Sequence, residues 1–76
     1  MKTHNLKIDE KYFLAIVNGK KKFEIRKNDR DFSEGDRVNL NWYGNIIKAE
    51  IGFVTDYSQR KGYVVFSLLN IECEAL

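Results

Sequence analysis

The spacing of the hydrophobic residues changes at Gly19, and this change is the strongest constraint on the fold. Before Gly19 the spacing is that of an amphipathic helix, for which Asp9 is the predicted N-cap. The predicted buried stripe of this helix consists of Tyr12, Phe13, Ile16 and Val17. Gly19 is predicted to end the helix in the left-handed conformation, which glycine adopts most easily. After Gly19, apolar and polar residues alternate with the period of two that is typical of half-buried strands.

The alternating segments predict about five strands, one before the helix and four after it. The first contains Leu6 and Ile8, and the later ones lie near residues 20–27, 38–42, 47–53 and 63–71. Gly44-Asn45 is the predicted hairpin turn, Ile47 to Phe53 should bury its odd-numbered residues, and Trp42 should lie in the core. The near-continuous apolar run at 63–71 predicts a strand buried on both faces.

The predicted fold class is α+β, mostly β. Residues 1–76 leave room for a single domain, in which a curved sheet or small β-barrel is combined with one N-terminal helix. A closed or strongly curved sheet is favoured because it removes exposed strand edges in a chain this short.

Composition excludes several classes of protein. The hydrophobic content of 43% and charged content of 32% are those of a folded domain, and no uncharged run reaches the ~20 residues of a membrane span. Cys73 is the only cysteine, so an internal disulfide is excluded, and we expect it to be buried or half-buried. With no secretory signal in Met1 to Asp9, we expect a cytoplasmic protein without membrane contact, and a monomer is favoured.

Positive charge is concentrated between residues 20 and 30. This segment holds six basic and two acidic residues, a local charge of +4, whereas the rest of the chain sums to −2. Such a stretch either attracts phosphates or forms a solvated charged strand. By alternation, Phe23 and Ile25 should face the core and Glu24 and Arg26 the solvent, with Lys21 leaning toward the core side.

Residues for metal or cofactor chemistry are scarce. His4 is the only histidine, no glycine-rich phosphate loop is present, and we expect neither a metal nor a cofactor. A lone histidine near the N-terminus is expected to be a solvated or edge residue, although it is also a candidate ligand contact.

The run Gly19-x-Lys21-x-x-Glu24-x-Arg26 resembles the G-x-K-x-x-E-x-R signature of ASCH domains, which belong to the PUA-like superfamily of small β-barrels. The wider sequence resembles the DUF3850 family of bacterial and phage proteins. The segments that carry this second resemblance are residues 4–8, 12–13, 19–32, 35–36 and 62–65.

The resemblance implies a cleft bordered by the signature strand, in a superfamily associated with RNA binding. One ASCH subgroup is an amidohydrolase that acts on acetylated cytidine through a lysine, a threonine and a glutamate. The lysine aligns with Lys21, whereas the threonine and the glutamate fall on Glu24 and Phe66. Two of these three positions therefore depart from that subgroup.

The charged stretch and the family resemblance together suggest three hypotheses for the function. The first is binding of RNA or a nucleotide, with cations meeting phosphate, polar side chains reading base edges and tyrosines stacking on bases. The candidate contacts are His4, Lys21, Glu24, Arg26, Lys27, Asn28, Asp29, Arg30, Tyr43 and Tyr63.

The alternatives are a small hydrolase and a protein-interaction module. The hydrolase, an amidohydrolase or nuclease, would use Lys21 as base or nucleophile with help from Glu24, and whether the protein is an enzyme stays open. The charged side chains should converge on a hollow in the first two cases and splay over a convex face in the third.

Overall fold

Five strands form one mixed sheet in the computed structural model, which describes residues 1–74. The elements in chain order are β1 (Thr3–Lys7), α1 (Glu10–Val17), β2 (Phe23–Lys27), β3 (Arg37–Trp42), β4 (Asn45–Thr55) and β5 (Tyr63–Glu74). Across the sheet the order is β1-β3-β4-β5-β2, in which β1 and β3 are parallel and the other neighbours antiparallel. The predicted mostly β class with one early helix is confirmed, and the sheet is curled into a half-barrel.

The helix buries a narrower stripe than its sequence predicts. Phe13 and Ile16 are buried, whereas Tyr12 and Val17 are almost half exposed. The helix packs on β3, where the rings of Phe13 and Trp42 lie 5.4 Å apart, so only one side of it is covered. It has eight residues, and no helix within residues 1–74 is long and apolar enough to cross a membrane.

Both ends of α1 agree in position with the sequence prediction. Asp9 has the extended backbone of an N-cap, although its side chain makes no capping hydrogen bond. Gly19 has a φ of +74°, the left-handed conformation predicted for the residue that ends the helix.

The core lies on one face of the sheet and follows the predicted alternation in β3 and in the first half of β4. Its residues are Leu6, Ile8, Phe13, Ile16, Phe32, Val38, Leu40, Ile47, Ala49, Ile51, Val64, Phe66 and Leu68. Trp42, predicted to lie in the core, packs against it but is only half-buried.

Three burial predictions for β4 and β5 are wrong. Phe53 is exposed because the pairing of β4 with β5 shifts between Ile51 and Val54, which moves the side chain to the other face. Strand β5 buries alternate residues only, since the single sheet has one covered face. Cys73 is exposed near the end of β5.

The β3–β4 hairpin is confirmed, but its turn is shifted by one residue. Trp42 pairs with Asn45, so the two turn residues are Tyr43 and Gly44 rather than Gly44 and Asn45. Their φ values of 47° and 83° are both positive, as a type I′ turn requires.

His4 is buried and hydrogen-bonded to Asp36, so the prediction of a solvated residue is wrong. Its Nε2 atom lies 2.9 Å from Oδ2 of Asp36, and its ring contacts the ring of Phe32 with centroids 4.7 Å apart. Asp36 also accepts hydrogen bonds from the backbone N–H groups of Lys2 and Ser33. The contact with His4, helped by these two donors, lowers the pKa of Asp36 below its ordinary value of 3.8.

Replacing Asp36 by alanine should destabilise the domain strongly. The change leaves His4 and two backbone donors without their shared acceptor in a buried site, which costs about 3–5 kcal/mol. Urea unfolding followed by circular dichroism measures this loss. Asp31→Asn is a suitable control, because asparagine tolerates the left-handed backbone at this position and the exposed ion pair that is lost with Lys2 should contribute less than about 1 kcal/mol. Equal stability of the two variants would contradict the role assigned to Asp36.

Stability should fall with acid in a way that depends on Asp36. Because the pKa of this carboxyl is lower in the folded protein than in the unfolded chain, its contribution is complete above about pH 4 and is lost as the pH falls through the folded value. Unfolding free energies measured between pH 2 and pH 6, chosen as roughly the range of carboxyl titration, should show a steeper decline for the wild type than for Asp36→Ala. If the unfolding free energies of the two proteins fall in parallel with pH, Asp36 does not contribute to the acid dependence of stability.

Candidate ligand-binding cleft

Glu24 and Arg26 of β2 face the interior, which reverses the orientation predicted from alternation. Glu24 is only 3% exposed, whereas Phe23 and Ile25 are 42% and 52% exposed. In the register with β5, Glu24 lies opposite the buried Phe66, and Arg26 lies opposite the buried Val64. Glu24 and Arg26 are therefore on the core side of the sheet, and the two apolar residues are on its outer side.

Glu24 is enclosed by two cations. One carboxylate oxygen accepts a hydrogen bond from Nζ of Lys21. The other accepts a hydrogen bond from Nε of Arg26 at 2.8 Å and lies 2.7 Å from Nη2 in an ion pair. Lys21 also donates to the backbone oxygen of Phe23 at 2.7 Å. These bonds satisfy the buried carboxylate and explain how an acidic residue can lie on the core face.

Arg26 also connects the two outermost strands of the sheet. Its Nη2 atom donates to the backbone oxygen of Lys7 at 3.0 Å, so a side chain of β2 reaches the end of β1. Since β1 and β2 are at opposite ends of the strand order, this bond spans the opening of the half-barrel.

A cavity of about 670 Å³ lies at this opening, between the end of β1, the helix and β2. Five basic and two acidic side chains line it, giving a net charge of +3. The basic residues are Lys7, Lys11, Lys20, Lys21 and Arg26, and the acidic ones are Asp9 and Glu24. We call this space the basic cleft.

Tyr12 forms an aromatic wall of the basic cleft. Its ring is 5.4 Å from Nζ of Lys11 and 5.4 Å from Nζ of Lys21, both within the range of cation–π contacts. Nζ of Lys21 also lies 5.1 Å from the ring of Phe23. Tyr12 is partly exposed, so a ligand in the cleft can reach its ring.

A second cavity of about 620 Å³ adjoins the basic cleft. The two share Lys7, Ile8 and Asp9 as a common wall. The remaining lining residues of the second cavity, which we call the aromatic cavity, are Glu10, Asn41, Trp42 and Tyr43.

The structure brings together only some of the candidate contacts. Lys21, Glu24 and Arg26 converge in the basic cleft, and Tyr43 lies in the aromatic cavity. The other candidates, Lys27, Asn28, Asp29, Arg30, Tyr63 and His4, line neither cavity.

Several of these outlying residues have partners of their own. Asn28 accepts a hydrogen bond from the backbone N–H of Phe32 at 3.0 Å, which orders the loop after β2. The guanidinium of Arg60 stacks over the ring of Tyr63 at 4.2 Å. His4 is held in the core by Asp36.

Nine lining residues of the basic cleft are outside the predicted set, and among them are Lys7, Lys11, Tyr12 and Lys20. Lys20 lies within the predicted basic stretch, so local charge could have indicated it. Lys7 and Lys11 are brought to the cleft by the β1–α1 connection, for which the local sequence carries no signal. Tyr12 had been assigned to the buried helix stripe.

The fold and the cleft define a small, mostly β domain with a cationic cavity at the opening of its half-barrel. Residues 3–68 match the family model DUF3850, described as a domain of unknown function. The chain belongs to this family.

A curated relative comes from Escherichia phage P2, where it is described as an uncharacterized 12.9 kDa protein in the GpA 3′ region. It is 40% identical over an aligned length of 63 residues, and the match covers 75% of this chain and 58% of the relative. The chain thus spans less than two thirds of that protein's length.

Removing the Glu24 carboxylate should destabilise the domain and disrupt the cation cluster. In Glu24→Ala, Lys21 and Arg26 remain side by side without their shared partner, which costs about 3 kcal/mol, at the low end for a broken buried pair. The low end applies because 14% of the Lys21 side chain and 24% of the Arg26 side chain are exposed. Urea unfolding measures the loss.

The control for this prediction is Glu74→Ala. Glu74 pairs with Lys48 at 3.1 Å on the surface, and its removal should cost less than about 1 kcal/mol. Lys21→Met should cost less in the Glu24→Ala background than in the wild type, because the two residues share one interaction. If the stability losses of the two substitutions simply add, Lys21 and Glu24 do not interact, and the cation cluster is refuted.

Proposed function

We propose that the basic cleft binds RNA or a nucleotide through phosphate. The observation that carries this proposal is the group of lysines around the cleft. Lys7, Lys11 and Lys20 all line it, and within the part of the chain the structure describes none of them pairs with a carboxylate. Ammonium groups that surround one concavity and have no carboxylate partner attract an anionic ligand.

The dimensions of the cleft support a ligand of nucleotide size. Its volume of about 670 Å³ is within the range of roughly 300–1,000 Å³ that is usual for small-molecule sites. Phosphate oxygens would meet the lysine ammonium groups, and the partly exposed ring of Tyr12 offers a surface on which a base can stack.

Lys21 and Arg26 have a different role from the other three cations in this proposal. Both are already bonded to Glu24, which neutralises part of their charge and fixes their positions. They form the floor of the cleft, and each oxygen of Glu24 is already bonded to one of them.

The assignment to ASCH domains within the PUA-like superfamily belongs to the same proposal. The lysine, glutamate and arginine of the G-x-K-x-x-E-x-R signature are the three residues that converge, which supports a shared site. A cytoplasmic location is consistent with these ligands and is also part of the proposal.

Lys21, Glu24 and Arg26 converge in a concavity, which favours ligand binding over a protein-interaction module. For such a module we expect the charged side chains to splay outward. The hydrolase alternative stays a hypothesis, in which Lys21 would act with Glu24, the carboxylate to which it is hydrogen-bonded.

Affinity for nucleotide should depend on salt and on the lysines of the cleft. We expect two or three phosphate contacts. The dissociation constant for a short oligoribonucleotide should therefore rise about tenfold when the salt concentration is raised from about 50 to about 200 mM. Lys11→Ala/Lys20→Ala should weaken binding at 50 mM salt and flatten its salt dependence. Isothermal titration calorimetry measures both effects.

Lys27→Ala/Arg30→Ala is the matched control, since it also removes two positive charges but from positions outside the cleft. It should retain nearly all affinity. A larger loss in this control than in the cleft variant would place the site on the loop after β2, and absence of binding to RNA and nucleotides alike would overturn the proposal.

A further inference from the structure

Tyr43 occupies a position for which the fold offers no explanation. Its side chain is 91% exposed and its φ is 47°, the left-handed region that bulky residues rarely adopt. Asn or Gly is preferred at this position of a type I′ turn. A large aromatic residue that is both strained and exposed is typical of a functional position, where binding rather than folding explains the residue.

The location of Tyr43 supports this interpretation. It lines the aromatic cavity with Trp42, and the two rings meet edge to face with centroids 6.0 Å apart. Trp42 is packed against Phe13 and the core, whereas the exposed ring of Tyr43 has a face that is open to a flat ligand. The amide of Asn41 lines the same cavity and can pair with the edge of a base.

The charge of the aromatic cavity differs from that of the basic cleft. It is lined by one cation, Lys7, and two carboxylates, Asp9 and Glu10, a net charge of −1. A phosphate is therefore disfavoured there, whereas an uncharged base is accommodated. Lys7 lies in the wall shared with the basic cleft, where it can contact the phosphate between two nucleotides.

We propose that the aromatic cavity is a second base subsite, so that the protein binds single-stranded nucleic acid across two consecutive nucleotides. This inference rests on the proposed function of the basic cleft. One nucleotide occupies the basic cleft with its base against Tyr12, the next base stacks on Tyr43, and Lys7 meets the connecting phosphate.

The test compares a mononucleotide with a dinucleotide. Adenosine 5′-monophosphate should occupy the basic cleft alone, and 5′-phosphorylated diadenylate should bind at least about tenfold more tightly, because it gains a stacked base. Trp42 is the only tryptophan, so its fluorescence reports on the aromatic cavity. The dinucleotide should change its emission, and the mononucleotide should not.

Tyr43→Asn separates binding from folding. Asparagine suits the left-handed turn position, so this variant should unfold at the same or a higher temperature than the wild type. It should nevertheless lose most of the gain in affinity for the dinucleotide while binding the mononucleotide as before. Tyr43→Phe keeps the ring and should keep that gain. The deoxyribose forms of both ligands distinguish RNA from DNA.

Two results would overturn the inference while leaving the basic cleft intact: a dinucleotide that binds no more tightly than the mononucleotide, or a Tyr43→Asn variant that keeps the full gain. If neither ligand binds the wild type, the second subsite and the proposed function both fail. If Tyr43→Asn abolishes binding of both ligands without unfolding the protein, Tyr43 belongs to the basic cleft. That result also contradicts the second subsite.

Discussion

The buried carboxylate of Glu24 is the constraint on which the rest of this structure depends. It lies on the core face of β2 opposite Phe66, where an uncompensated charge would be very costly. Lys21 and Arg26 compensate it, so both cations must also turn inward. Arg26 then reaches the backbone of Lys7 and ties β2 to β1. The orientation of β2, the bridge across the half-barrel and the positive floor of the cleft therefore have one physical origin.

The sequence was sufficient to predict the fold class and the end of the helix. A gathering of Lys21, Glu24 and Arg26 around a hollow was expected under only two of the three functional hypotheses. The sequence was not sufficient to orient β2. A period of two separates two faces but does not say which is buried, and Phe23 and Ile25 are more hydrophobic than their neighbours. Hydrophobicity alone therefore gave the wrong face, because a satisfied ion cluster can occupy a core position that an apolar side chain would usually fill.

Two other errors have the same cause, a partner that is distant in sequence. His4 is buried because Asp36, 32 residues later, accepts its hydrogen bond, and no local pattern around residue 4 indicates this. Phe53 is exposed because a shift in the pairing with β5 changes the face of β4. Lys7 and Lys11 reach the cleft for a comparable reason, since the β1–α1 connection carries them to β2.

The common wall of the two cavities is held from both sides. Arg26 donates to the backbone oxygen of Lys7, and the backbone N–H of Ile8 donates to Asn41 at 3.0 Å. The first bond comes from the floor of the basic cleft and the second ends on a residue of the aromatic cavity. Ile8 is also buried in the core, which prevents the wall from moving independently of the sheet. The separation of the cavities is thus a property of the folded sheet, and a ligand that fills both must have a matching spacing between its own groups.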